Sequence, residues 1–372
     1  MKLKVNATTV TPLMQIEASE TRRDKNGVKK LITTVKTRFV ENENIGLVKI
    51  PIYTGNGFRG LLRRMMSEII LEEAIKKEIK INTSDYFLMV AGGGANYQKQ
   101  DFDVVEKVRS LNPVISILGT SLAVPGKLIV TDLTPENYEE HLYEYKSRKN
   151  NEEVETASIE DESEFNNENI GVIETAKYGC SLIQTRTFTK KDDILAQTKF
   201  GRFLSKEDIS DWEKKISEEK NKNKEAGEGE RLTIQSILSA EYIVPGTKFA
   251  GYILSKEALT DIECGLLLRG LTNLTGEYLG AGSSNGFGIA NYNIYDKDGN
   301  EVISSLVDSD NLLKRTTTVT ERDHEKGCIA KFNEWLSNLT EDNINVSGLM
   351  KSTEKKKAEK NTKKNKNQEA EV

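Results

Sequence analysis

The chain has 372 residues, 37% of them hydrophobic and 30% charged, with a net charge of −5 at pH 7. That length holds one large domain or two ordinary ones, and the low apolar share predicts a core carrying exposed arms and loops. Net acidity does not advertise a polynucleotide partner, so such a site would have to come from uneven charge placement.

Cys180, Cys264 and Cys328 are odd in number and far apart, no CxxC occurs, and the histidines are His141 and His324. This spacing argues against a disulfide framework and shows no zinc-ligand pattern, so reduced thiols, no metal and no cofactor are expected. Met1-Lys2-Leu3-Lys4 leads into an alternating strand rather than a signal peptide, and no apolar run reaches membrane-spanning length. A cytoplasmic protein without a membrane partner is the expectation.

In chain order, residues 2–16 alternate through Leu3, Val5 and Ala7 as a strand interrupted near Pro12. Arg22, Arg23, Lys25, Lys29 and Lys30 then surround Asn26-Gly27, a strong hairpin turn, with a return strand over 31–40. The basic hairpin is either a solvated surface or a ribbon for a phosphate backbone.

A short strand, Lys49 to Tyr53, next ends in the turn Thr54-Gly55-Asn56-Gly57, and a helix follows with Leu61, Leu62, Met65, Met66 and Ile69 on its buried face. At about 100° per residue, Arg59 and Arg63 fall together at one edge of that face and Arg64 on the other flank. Free amides at a helix start favour anions, and guanidinium groups on the first turns add to that, so phosphate is the expected ligand. Gly55, Gly57 and Gly60 also satisfy the dinucleotide-binding pattern, but Asp85 follows Asn82-Thr83-Ser84 rather than a strand. A Walker loop is excluded, because no Gly-Lys-Ser/Thr follows.

Residues 72–80 read as a solvated helix end, and Gly92-Gly93-Gly94 as a flexible loop. Residues 114–118 and 127–131 read as a strand pair. The span 150–169 is acidic, without lysine or arginine, and reads as a mobile insertion. From Thr175 basic residues, among them Lys177, Arg186, Lys190 and Lys191, interleave with Tyr178, Phe188, Phe200 and Phe203, which suits a single-stranded polynucleotide. Asp192 and Asp193 fit a helix cap better than a metal site. Residues 206–230 form a charged arm. Two β-rich runs flank Pro245-Gly246, and Thr260-Asp261-Ile262-Glu263 is a capping box that opens a second apolar helix ending at Gly276. The glycine loop 280–288, holding Gly282, Ser283, Ser284 and Asn285, is either a tight structural turn or a cradle for another backbone. A strand over 289–295 follows, then a short docking helix over 329–339. The lysine-rich stretch 351–372 reads as a disordered tail.

The wording Gly55-Asn56-Gly57-Phe58-Arg59-Gly60-Leu61-Leu62-Arg63-Arg64 resembles the RAMP superfamily, in particular the backbone subunit of class 1 CRISPR effector complexes, and within it the type IV branch. The resemblance recurs in order at Leu118-Gly119-Thr120-Ser121-Leu122, at Lys191-Asp192-Asp193-Ile194-Leu195, and at Leu279-Gly280-Ala281-Gly282 with Gly286-Phe287-Gly288. It implies an α+β, ferredoxin-like (RNA-recognition-motif-like) palm with inserted finger and thumb arms. The element order agrees with a split βαβ core. The expected parts are 1–81, first half of the palm with the basic hairpin; 82–175, a finger-like insertion; 176–231, a thumb-like arm; 232–296, the second half of the palm; 297–350, a C-terminal extension; and 351–372, the tail.

The resemblance further implies a non-enzymatic subunit that polymerises head to tail along CRISPR guide RNA. It would present the guide to a target nucleic acid by base pairing, with other effector-complex subunits as partners. Carried over by motif, Asn56, Gly57, Arg59 and Arg63 would contact the guide, with Arg22, Arg23, Lys190, Lys191 and the loop Gly282 to Asn285 as further candidates. The alternatives are a target-cleaving ribonuclease using Asp24 with a divalent metal, and a dinucleotide-dependent enzyme.

Overall fold

The computed structural model describes residues 1–23, 29–93, 100–120, 123–144, 178–191, 205, 207, 210, 214, 235–308, 310–312, 314–320 and 322–350. Its first half holds β1 (Lys2–Thr9), β2 (Ile16–Arg23), β3 (Lys29–Val35), β4 (Thr37–Asn42), β5 (Gly46–Pro51), α1 (Gly55–Lys76), α2 (Thr83–Ala91), α3 (Phe102–Leu111), α4 (Pro113–Leu118), β6 (Leu128–Val130), β7 (Thr134–Pro135) and β8 (Leu142–Glu144). The second half adds β9 (Tyr178–Cys180), β10 (Ile183–Lys191), β11 (Gln235–Ile243), β12 (Lys248–Ser255), α5 (Asp261–Leu274), β13 (Ala290–Tyr295), β14 (Glu301–Val307), β15 (Arg315–Val319), α6 (Asp323–Ser337) and α7 (Glu341–Ile344). The fold is α+β, with two compact units: one of Met1–Gln15, Lys36–Leu182 and Ile243–Val372, the other of Ile16–Val35 and Ile183–Tyr242.

The first unit is built on a sheet in the order β15-β14-β13-β1-β12-β6, with β7 also on β12. Every pairing in it is antiparallel. Within it, β1, β6, β12 and β13 lie in the order β13-β1-β12-β6; α1 follows the first of these in the chain and α5 the third. Alternation in β1 buries Leu3, Val5 and Ala7, while α1 buries Phe58, Leu61, Leu62, Met65, Met66, Ile69 and Ile70. A Cβ at Gly270 of α5 would stand 2.3 Å from Met66 Cγ, so the glycine allows the two helices to pack closely.

The capping box is present at the start of α5: Glu263 N–H donates to Thr260 Oγ1 at 3.2 Å and Thr260 N–H to Glu263 Oε2 at 2.8 Å. Glu263 also pairs with Lys127 Nζ at 2.7 Å, tying the helix to the residue before β6.

Residues 114–118 form a helix, not the expected strand. Asn112 Oδ1 accepts the Ile115 N–H at 3.1 Å and Pro113 sits at the first helical position, two start signals that outweigh the β-branched run. Beyond residue 296 the chain forms more than a docking helix, because β14 and β15 extend the main sheet.

The second unit is a four-stranded sheet in the order β10-β11-β3-β2, with β3 parallel to β11 and antiparallel to β2. The basic hairpin belongs to this unit and not to the unit that holds α1. Asp24, Asn26-Gly27, the acidic span 150–169, Asp192, Asp193, nearly all of 206–230 and the stretch 351–372 lie outside the described residues.

Candidate functional site

Thr54 caps α1 from an extended backbone, its Oγ1 accepting the Gly57 N–H at 3.2 Å. The Gly55 N–H donates to Asp132 Oδ1 at 2.8 Å, and Asp132 Oδ2 faces Arg38 at 3.5 Å. The anion position at this helix start is therefore held by a carboxylate of the chain itself. That corrects the expectation of a phosphate on these amides, and it removes the pyrophosphate seat the dinucleotide reading needs. The remaining parts of that fingerprint are absent too. β5 pairs with β4 as an antiparallel ribbon, and Asp85 is buried, accepting from Ser347 N–H and Oγ at 2.6 and 2.7 Å.

Arg63 is 7% exposed. Its Nη2 donates to the Leu118 and Gly119 carbonyls at 2.9 and 2.8 Å, and Nη1 reaches those of Leu88 and Met89 at 3.5 Å. Burial, then the neighbouring Arg59, lowers its pKa to about 10, so it stays charged at neutral pH. Arg63, expected at the guide, thus turns its Nη donors to backbone carbonyls at the C-terminal ends of α2 and α4. Arg59 is half-buried and donates to the Leu118 carbonyl; burial lowers its pKa as well, and its Nε is buried with no partner among the described residues.

The outward stripe of α1 is Asn56, Gly60 and Arg64, spaced by four residues. Asn56 and Arg64 are exposed, and a Cβ built on Gly60 meets nothing within 4 Å. The apolar periodicity placed Arg64 on the opposite flank from Arg63; what it could not show was which flank the rest of the fold covers.

The chain from Pro12 to Gln15 joins the cap of α1 to the glycine loop. Gln15 clamps the cap residue, Nε2 donating to Thr54 Oγ1 at 2.6 Å and Oε1 accepting the Thr54 N–H at 2.7 Å. On its other side Met14 O accepts the Ala281 N–H at 2.6 Å and Pro12 O the Gly288 N–H at 2.8 Å. Burial raises the pKa of the Tyr53 phenol, while the Gly280 backbone and Arg64 pull it back. Gly282 at φ +83° and Gly286 at φ +76° bracket a single 3-10 turn, Ser283–Asn285, whose three side chains are exposed.

Asn56, Gly57, Arg59 and the loop Gly282 to Asn285 therefore share one unit. Hydrogen bonds through Thr54, Gln15 and Met14 link Gly57 to Ala281 beside that loop, while Arg59 and Arg63 both donate to the Leu118 carbonyl. Arg22 and Arg23 lie in the second unit, in register with Lys30 and Lys29 at the end of the β2–β3 ribbon. Lys190 and Lys191 end β10, at the opposite edge of that four-stranded sheet.

No protein-family model matches the chain, and no curated protein matches it. Among solved structures, a chain of a Type IV-B CRISPR complex is similar, with 13% identity and a TM-score of 0.42 over 80% of this chain and 91% of that one.

Proposed function

We propose that this protein is a guide-RNA-binding backbone subunit of a class 1 CRISPR effector complex, built on a ferredoxin-like palm. The order β13-β1-β12-β6, with α1 and α5 as the two crossovers, supports the palm. One observation carries the function. Three of the four sequence blocks that resemble this family, far apart in the chain, meet around the start of α1: Arg59 and Arg63 hold Leu118 and Gly119, and Gln15 with its neighbour Met14 joins the helix cap to the glycine loop.

What that convergence offers a ligand is a strip of small and polar residues. Gly60 leaves room for a sugar-phosphate backbone, Arg64 and Asn56 supply donors, and Ser283, Ser284 and Asn285 supply hydroxyl and amide groups. The chemistry is binding and positioning, without bond cleavage. Arg22 and Arg23 on β2, and Lys190 and Lys191 on β10 at the other edge of the four-stranded sheet, are further candidates.

The test is co-expression with a CRISPR array and analysis of the RNA that co-purifies with wild type, Asn56→Ala/Arg64→Glu, and Ser284→Glu. Protected RNA of uniform length is expected with wild type and a loss of at least tenfold with the double variant, at unchanged melting temperature. Salt titration of single-stranded RNA binding should lose about 0.7 in slope for each phosphate contact removed. Equal RNA retention in wild type and the folded double variant would refute the assignment of the site.

A further inference from the structure

Cys264 lies on α5, and His324 and Cys328 lie on α6, far away in sequence. One donor atom from each lies within 4.8 Å of the other two. Cys328 Sγ is 3.8 Å from His324 Nε2 and 4.0 Å from Nδ1, and Asp261 Oδ1 stands 3.9 Å from the same sulfur. A tetrahedral zinc with Zn–S of about 2.3 Å and Zn–N of about 2.0 Å separates its ligand atoms by roughly 3.5–3.8 Å. The observed spacings, from 3.8 Å up to a bound of 4.8 Å, contract by at most about 1 Å through side-chain rotation to reach that.

The backbone is shaped for the contact. A Cβ at Gly265 would lie 2.3 Å from the Cys328 carbonyl oxygen, so glycine is what lets α6 come down on α5 next to Cys264. His324 and Cys328 share a face at i, i+4, and Asp261 and Cys264 at i, i+3. Lys331 holds Asp261 Oδ2 and so leaves Oδ1 turned toward the thiols, the second-contact arrangement that orients metal ligands. Both thiols are buried, His324 is exposed, and Asp261, Cys264 and His324 line an open pocket of about 540 Å³ through which an ion can enter.

We propose that Cys264, Cys328 and His324 form a site for a thiophilic divalent cation, zinc first, with Asp261 Oδ1 nearest the fourth position, and that the ion staples α6 to α5. Binding replaces two S–H bonds by two sulfur–metal bonds and releases two protons to solvent; no electron is transferred. The donor set suits zinc rather than magnesium or calcium, which take oxygen ligands. The site is independent of the RNA-binding reading.

The experiment strips the full chain with chelator under reducing conditions and titrates it with Co²⁺, then with Zn²⁺. One equivalent of Co²⁺ should give thiolate-to-cobalt charge-transfer absorption, abolished by one equivalent of Zn²⁺, and Zn²⁺ should raise the melting temperature. Cys264→Ser and Cys328→Ser should each weaken Co²⁺ binding by about tenfold or more and reduce that absorption. His324→Ala, at an exposed position, tests the site without disturbing the core and should lose affinity by about the same factor. No charge-transfer band with reduced wild type, a band unchanged by His324→Ala, or a Cys264–Cys328 disulfide in place of metal binding would overturn the proposal.

Discussion

Arg63 is a cation enclosed by carbonyls. Its planar fork meets the ends of two helices at once, where the helix dipoles favour positive charge. It is the one donor to the Gly119 carbonyl among the described residues, while the Leu88, Met89 and Leu118 carbonyls also accept from Gly92 N–H, Ser67 Oγ and Arg59. Removing it leaves the Gly119 carbonyl without its donor and the two helix ends without their buried charge, so Arg63→Met should lose about 1–3 kcal/mol in urea unfolding. Arg63→Lys should recover less than half of that, because a lysine cannot reproduce the two-pronged geometry. Wild-type stability in Arg63→Lys would show that the charge alone matters. The neighbouring arginines divide the work by burial: Arg63 inside, Arg59 at the edge, Arg64 in solvent.

At the scale of elements, α1 carries a glycine where a helix gains nothing from one. Gly60 is in a right-handed helix with no neighbour over its Cα, so the usual structural reasons for glycine do not apply. Gly60→Ala should therefore stabilise the fold by about 0.5–1 kcal/mol, and Gly60→Glu should weaken single-stranded RNA binding by about tenfold or more at little change in melting temperature. Unimpaired RNA binding by Gly60→Glu would place the backbone contact elsewhere. The glycines at 55, 265 and 280 differ: a Cβ at each would lie within 2.3 Å of a carbonyl oxygen, so they serve close packing. Periodicity and caps made α1, α5 and β12 legible in advance. They failed at α4, where a buried run of five residues has no polar face to set its period.

For the whole molecule, the proposed head-to-tail polymer makes a prediction independent of any single contact. With guide RNAs of increasing length, reconstituted particles should grow in steps of one 41.7 kDa copy, as an open heterologous contact requires. Native mass spectrometry that finds one stoichiometry at every RNA length would argue for a closed or monomeric assembly instead.

By itself the sequence determined the apolar faces, the helix start at Thr260, the strand on each side of Pro245-Gly246, and the family resemblance. All of these are written in neighbouring residues, where caps, periods and turns act. Residues 54–57 read as a turn ahead of the first helix, whereas α1 begins at Gly55 with Thr54 as its cap. Only the tertiary structure decided that Asp132 takes the anion position at α1, that Arg63 faces inward while Arg64 faces out, that the basic hairpin joins the strands near residue 240, and that two cysteines and a histidine without zinc-ligand spacing meet across α5 and α6. Those outcomes depend on which surfaces cover one another, and contact between residues far apart in the chain leaves no local pattern to read.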